Sequence, residues 1–205
     1  NCINAISLVV QPDLLNTAGI IGDTNGATAS GTTPVCTFGN ADDDVWYSFE
    51  ANETSHVVIF ENLASTGMSG STDLYFQVLT GDCTNGLTSI LCSDSNTGAT
   101  IENLVVGQVY YVRPYTYSNG SYNISFKIGI GTIPAPPIND DCINAIALIP
   151  SINHECINPL TFSTAGATPS IATAPTCSAS GINDDIWFSF EAIAVTHLIN
   201  VAYTN

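Results

Sequence analysis

Lysine and arginine are almost missing from this 205-residue chain. Arg113 and Lys127 are the only two, against 18 Asp and Glu, so the formal net charge is 2 − 18 = −16 with histidines neutral. Clustered cations are what neutralise phosphates, so nucleic acid is excluded as a partner and anionic lipid surfaces are poor ones. Long apolar runs are missing too, with no stretch near the roughly 18 residues a spanning helix needs, and no membrane insertion is expected. The chain begins with neither an initiator Met nor a signal peptide, and the expectation is a piece of a processed or longer protein. What is present is 45% hydrophobic and 9% aromatic with only 10% charged, the composition of a chain that folds.

The seven cysteines, Cys2, Cys36, Cys83, Cys92, Cys142, Cys156 and Cys177, include no C-x-x-C pair and have no histidine placed to complete a zinc site. In an acidic chain rich in Ser, Thr and Asn they suit disulfides formed in an oxidising compartment, so the protein is expected to be secreted or on the cell surface. The pairing expected first is Cys83–Cys92, because Asn85-Gly86 between them is a hairpin-like turn. Parity then leaves Cys2 for Cys36. Cys156 has no counterpart in the first half; it is free, competes with Cys142 for Cys177, or awaits a cysteine beyond Asn205. The alternative is a set of reduced, buried thiols.

Comparison of the chain with itself gives the strongest signal. Cys2-Ile3-Asn4-Ala5-Ile6 recurs as Cys142-Ile143-Asn144-Ala145-Ile146, an offset of 142 − 2 = 140. The run Asp43-Asp44-Val45-Trp46-Tyr47-Ser48-Phe49-Glu50-Ala51 recurs as Asp184-Asp185-Ile186-Trp187-Phe188-Ser189-Phe190-Glu191-Ala192, at 184 − 43 = 141. Cys36 and Cys177 keep this spacing, as do His56 and His197. Prolines in Thr132 to Pro137 make a stiff spacer. The domain plan is therefore repeat 1 over 1–131, a linker over 132–137, and the N-terminal half of repeat 2 over 138–205. Half a sandwich leaves an apolar face uncovered, so the second copy is expected to continue past Asn205 or to receive strands from a partner.

Period-two alternation dominates, most clearly where Tyr122, Ile124, Phe126, Ile128 and Ile130 alternate with Asn123, Ser125, Lys127 and Gly129. Strands are also read at Val45 to Glu50, His56 to Glu61, Asp73 to Leu79, Thr100 to Leu104 and Val109 to Tyr115. No helical period is sustained, although Asn4 to Val10 has room for a helical turn. The fold class is all-β: tandem antiparallel β-sandwich domains, jelly-roll-like, the second truncated. Trp46 and Trp187 are expected to anchor the two cores.

In order along the chain come the Cys2 to Ile6 run, Thr17-Ala18-Gly19 and Thr164-Ala165-Gly166, Ala27 to Ser30 and Ala167 to Ser170, and Asp43 to Phe49. Thr72 to Cys83, Leu91 to Asp94, Val106 to Arg113 and Asn139 to Cys142 complete the set. This series resembles the repeated β-sandwich modules of large secreted proteins of Bacteroidetes, which are similar to the bacterial pre-peptidase C-terminal domain. The resemblance implies adhesin-like, gliding or surface proteins, or companions of proteases and other hydrolases. It also implies export by type IX secretion through a separate C-terminal signal, with the secretion machinery as a transient partner.

Catalysis is not expected. His56, His154 and His197 lie outside any G-x-S-x-G or H-E-x-x-H pattern and read as strand-edge or loop residues. Asp43, Asp44, Asp73 and Asp94 sit in or beside polar loops, which do not give a catalytic acid the apolar pocket it needs. Calcium is the better use for those four, since a hard cation takes six to eight oxygens and these loops supply carboxylates, amides and carbonyls. The competing reading, that the aspartates cap turns, carries more weight. Tyr110, Tyr111, Tyr115, Tyr117 and Tyr122 crowd the end of repeat 1 and offer a surface for an extracellular glycan or protein, although alternation sends Tyr110 and Tyr111 to opposite faces. The expected function is a non-enzymatic structural or adhesive repeat, with a carbohydrate- or protein-binding accessory domain of a secreted hydrolase as the alternative. A third expectation is a passenger held in the secretion apparatus.

Overall fold

The structure, a computed structural model, describes residues 1–31, 36, 41–66, 71–117, 123–153, 159–169 and 184–202. It divides into unit 1, Asn1–Ile133, and unit 2, Pro134–Asn205.

Among the described residues, unit 1 opens with a 3₁₀ turn at Cys2–Asn4 and then ten strands: β1 (Ile6–Ser7), β2 (Val10–Gln11), β3 (Ile20–Asp23), β4 (Tyr47–Glu50), β5 (His56–Ser65), β6 (Leu74–Asp82), β7 (Gly86–Ser93), β8 (Gly98–Ile101), β9 (Val109–Thr116) and β10 (Ile124–Gly131). They form two sheets, one in the order β1-β4-β9-β6-β7 and the other β2-β10-β5-β8, with β3 also paired to β10. The long ladders are antiparallel as expected. Two short edge pairings, β1 with β4 and β2 with β10, are parallel, so the sheets are mixed.

Alternation decides what faces inward. Ile124, Phe126, Ile128 and Ile130 of β10 are all buried, as are Val58 and Phe60 of β5. Across the interior they meet Tyr47 and Phe49 of β4, Leu74, Phe76 and Val78 of β6, and Tyr110 and Val112 of β9 in one cluster. The two sheets interlock through rings: Phe60 lies 5.1 Å from Phe76, and Phe126 lies 6.2 Å from Tyr47. Each fully buried aromatic here contributes about 1.5–3 kcal/mol of transfer free energy. Backbone freedom matters at Gly98, where φ is +116° and an added Cβ would sit 1.8 Å from the Val58 carbonyl oxygen. Trp46 is buried as expected, but on the opposite face of the five-stranded sheet, in a small cluster with Cys2 and Leu79.

The expected disulfides are corrected. Cys2 bonds Cys83 and Cys36 bonds Cys92, with Cα separations of 5.7 and 5.8 Å. The Asn85-Gly86 turn does form, but its tightness is what separates the two cysteines it joins. Asp82 pairs with Gly86, so Cys83 belongs to the turn, while Cys92 stands opposite Gln77 well up the ladder. Gln77 and Cys83 stand six positions apart, about 20 Å along the strand. The bonds instead tie the N-terminal turn and the Cys36 segment to the β6–β7 hairpin.

Unit 2 repeats the opening of unit 1. A 3₁₀ turn at Cys142–Asn144 leads into β11 (Ile146–Leu148), paired in parallel with β12 (Phe188–Phe190). The register agrees: Ile146 faces Phe188 as Ile6 faces Tyr47. Cys142 is exposed and unpaired, while Cys156 and Cys177 lie outside the described residues. One motif match is realigned: Thr164-Ala165-Gly166 corresponds not to Thr17-Ala18-Gly19 but to Thr24-Asn25-Gly26. In both turns an alanine N–H closes onto the threonine carbonyl, Ala167 to Thr164 and Ala27 to Thr24, at 2.9 Å. Both have glycine at positive φ, +80° at Gly166 and +75° at Gly26.

Candidate functional site

The outer face of the five-stranded sheet collects the polar chemistry of unit 1. Arg113 on β9 is fully buried, which is tolerable only because its charge is matched. Its Nε and Nη2 donate to Asp44 Oδ2 at 2.8 and 2.5 Å, and its Nη1 donates to Gln77 Oε1 at 3.4 Å. Trp46 Nε1 donates to the other Asp44 oxygen at 3.0 Å, and Ser30 Oγ donates to Oδ2 at 2.7 Å. The guanidinium lies 5.3 Å above the Trp46 ring and 5.9 Å from that of Tyr115. Asp43, next along, accepts from Thr116 N at 2.9 Å and Thr116 Oγ1 at 2.8 Å. Burial raises its pKa above the ordinary carboxylate value, and the Thr116 bonds oppose that. The two aspartates of the repeated motif thus dock the start of β4 onto β9.

Asp73 and Asp94 lie elsewhere, beside Tyr75. The charges of both carboxylates act on the Tyr75 phenol, and Asn96 Oδ1, in the same acidic loop, accepts from Leu74 N at 2.9 Å. Burial first, then the charge of Asp94, raises the pKa of Asp73; burial and the two carboxylates push that of Tyr75 up to about 12. Tyr75 is the middle ring of a ladder, 6.1 Å from Tyr115 and 5.7 Å from Tyr117. Tyr115 and Tyr75 are buried, whereas Tyr117 is 57% exposed. Tyr110 turns into the core, and Tyr122 lies outside the described residues.

The four aspartates proposed for calcium therefore do not gather. Asp44 is spent on Arg113 and Asp43 on Thr116. Among the described residues no three His, Cys, Asp or Glu side chains are grouped so as to hold a metal.

His56 is a buried loop clasp. Its Nε2 accepts the N–H groups of Asn52 and Glu53 at 3.3 Å, and its Nδ1 side meets Gly131 and Thr132 Oγ1. An acceptor at Nε2 places the proton on Nδ1, and burial lowers the pKa below the ordinary 6.5. His197 repeats the clasp on Ile193 and Ala194 at 3.2 Å. His154 lies outside the described residues. The sequence pointed to neither clasp nor Arg113; the spacing of four from each His back to Asn52 and Ile193, beside an aromatic-rich strand, was the available signal.

The geometry of unit 1 defines a disulfide-stapled β-sandwich module, and its opening turn and short parallel pair recur in unit 2. The chain belongs to the family of galactose-binding domain-like modules associated with the type IX secretion system, whose model matches residues 1–128 and again 138–205. No curated protein matches it. Such domains are typically non-catalytic binding modules, and the type IX association together with the disulfides points to an extracellular or cell-surface protein. Among the described residues no helix is long and apolar enough to cross a membrane.

Proposed function

We propose that this chain is a tandem pair of non-enzymatic binding modules in a large secreted or cell-surface bacterial protein of the Bacteroidetes, where they act in adhesion to an extracellular glycan or protein. The observation that carries the reading is the double match to a galactose-binding-like family on a rigid scaffold whose outer rim presents an open aromatic ring, Tyr117. Rigid aromatics framed by polar groups are how binding surfaces gain contact area at low entropic cost. The second reading, a carbohydrate- or protein-binding accessory domain beside a secreted hydrolase or protease, uses the same surface. In both, passage through the type IX machinery is a transient partnership. A glycan and matrix-protein binding screen with the purified chain tests the proposal. Saturable binding supports it, and hydrolysis of any bound substrate counts against it.

Calcium stabilisation is the lesser part of the proposal. With Asp44 and Asp43 engaged, Asp73 and Asp94 are the pair whose repulsion a cation would relieve. Titration calorimetry with Ca²⁺ and melting with and without EDTA decide it: heat and a raised Tm support calcium, and neither one removes it.

A further inference from the structure

We infer that unit 1 carries a self-forming cross-link site on the outer face of its β2-β10-β5-β8 sheet, where the Lys127 amine condenses with the Asn16 carboxamide to an isopeptide bond and ammonia is released. Three side chains meet there at one oxygen. Lys127 on β10 stands opposite Glu61 on β5 in the antiparallel register, and its Nζ lies 3.4 Å from Glu61 Oε2. Asn16, in the loop between β2 and β3, donates from Nδ2 to that same Oε2 at 3.0 Å. The nucleophile and the group to be displaced thus flank one carboxylate oxygen, which can carry a proton between them.

The Asn16 carboxamide is held in place. Asn16 is fully buried, with φ in the left-handed region at +52°, and it lies against Gly19 and Gly129, where an added Cβ would overlap the carboxamide. Gly129 is two residues from Lys127 on the outward face of β10, so the carboxamide sits beside the lysine stem. Gln11 Nε2 donates to Asn16 Oδ1 at 3.5 Å, and the Gln11 amide is oriented because its Oε1 accepts from Ala18 N at 2.8 Å and Thr17 Oγ1 at 3.1 Å. A donor at Oδ1 stands where negative charge develops when the amide carbon is attacked.

Atoms and charge balance without a co-reactant. Lys127 passes a proton to Glu61, and the freed lone pair on Nζ attacks Asn16 Cγ. The Nζ–Cγ bond forms, Glu61 delivers the proton to Nδ2, and the Cγ–Nδ2 bond breaks. Nζ keeps one hydrogen as an amide and the displaced nitrogen leaves as ammonium, so one cation is consumed and one is released. Holding both reactants at one oxygen beforehand removes the entropic cost of bringing them together. The product ties the β2–β3 loop to β10. Both disulfides lie with the other sheet, at the N-terminal turn and the β6–β7 hairpin, so each sheet gains a covalent tie of its own.

Mass spectrometry of the whole chain, kept folded at neutral pH and then reduced, tests the cross-link. The expected mass is about 17 Da below that of the sequence, the loss of one ammonia. Chymotryptic digestion should yield a branched peptide joining Asn16 to Lys127, the chain's only lysine. Lys127→Arg, which keeps the positive charge, and Glu61→Gln, which removes the carboxylate, are each expected to restore the full mass, with melting showing that the variants fold. The wild-type peptide decides the matter even where a variant does not fold. A wild-type chain of full mass with no branched peptide overturns the proposal. So does the same mass loss in Lys127→Arg, which would trace it to ring closure at Asn25-Gly26 or Asn85-Gly86. Cross-linking undiminished in Glu61→Gln overturns the proton relay.

Discussion

The same motif sits in two settings. In unit 1, Tyr47 and Phe49 are 2% and 1% exposed; their counterparts in unit 2, Phe188 and Phe190, are 37% and 44% exposed. Local geometry is nevertheless the same in both: a 3₁₀ turn, a short parallel pair in one register, and a histidine clasping two N–H groups. The motif therefore specifies its own backbone, and burial comes from partners far along the chain. Those partners are β9, which receives Asp43 and Asp44, and β10, which closes the core. Neither is adjacent in sequence: Asp44 and Arg113 are 69 residues apart.

Breaking the staples has the largest expected effect. The bonds close loops with sequence separations of 81 and 56, each stabilising by about 4 kcal/mol on chain-entropy grounds. Reductant is expected to lower the Tm of unit 1 steeply and to leave the exposed β11–β12 pair of unit 2 almost unaffected. Peptide mapping without reduction should recover Cys2 with Cys83 and Cys36 with Cys92; a Cys83–Cys92 peptide would contradict the assignment.

Next comes the buried ion pair. Asp44→Ala strands the Arg113 guanidinium and is expected to cost about 3–5 kcal/mol, whereas Asp185→Ala, at a less buried position, costs under about 1 kcal/mol. Equal losses in denaturant melts would dissolve the distinction between the units. Phe49→Ala against Phe190→Ala repeats the contrast in apolar form, about 3–5 kcal/mol against under about 1 kcal/mol.

The smallest effect is the pH dependence of the clasp. His56 has its pKa lowered on folding, so the unfolded chain takes up the proton first as pH falls below about 6.5. Stability from this group is complete above that value and is lost as pH falls toward the folded pKa. Asp43 has the opposite sign, since its raised pKa lets the folded state bind a proton before the unfolded one does. His56→Gln should flatten the melt-versus-pH curve near pH 6.5; an unchanged slope would refute the clasp.

Much of the fold was legible because alternation and repetition are local signals. β10 could be read from Ile124 to Ile130, and the repeat exposed the tandem plan. What stayed hidden depends on three-dimensional register. β7 went unread because its apolar residues, Leu87, Ile90 and Leu91, do not alternate strictly, and a bulge opposite Val78 and Leu79 explains the slip. The disulfides were misassigned because a turn shows that a chain returns without showing how far up the ladder a cysteine stands. Asp43 and Asp44 suggested a metal because carboxylates look alike in sequence; that one of them faces an arginine follows from β4 lying beside β9. Tyr117 was visible as one tyrosine among five, and only the ladder with Tyr75 and Tyr115 shows which ring is open.

Hydrogen exchange followed by mass spectrometry on the whole chain tests the central contrast most directly, by comparing the amides of Tyr47–Glu50 with those of Phe188–Phe190. The account predicts protection of the first set close to the global unfolding free energy of unit 1 and fast exchange of the second. Equal protection of the two strands would contradict it.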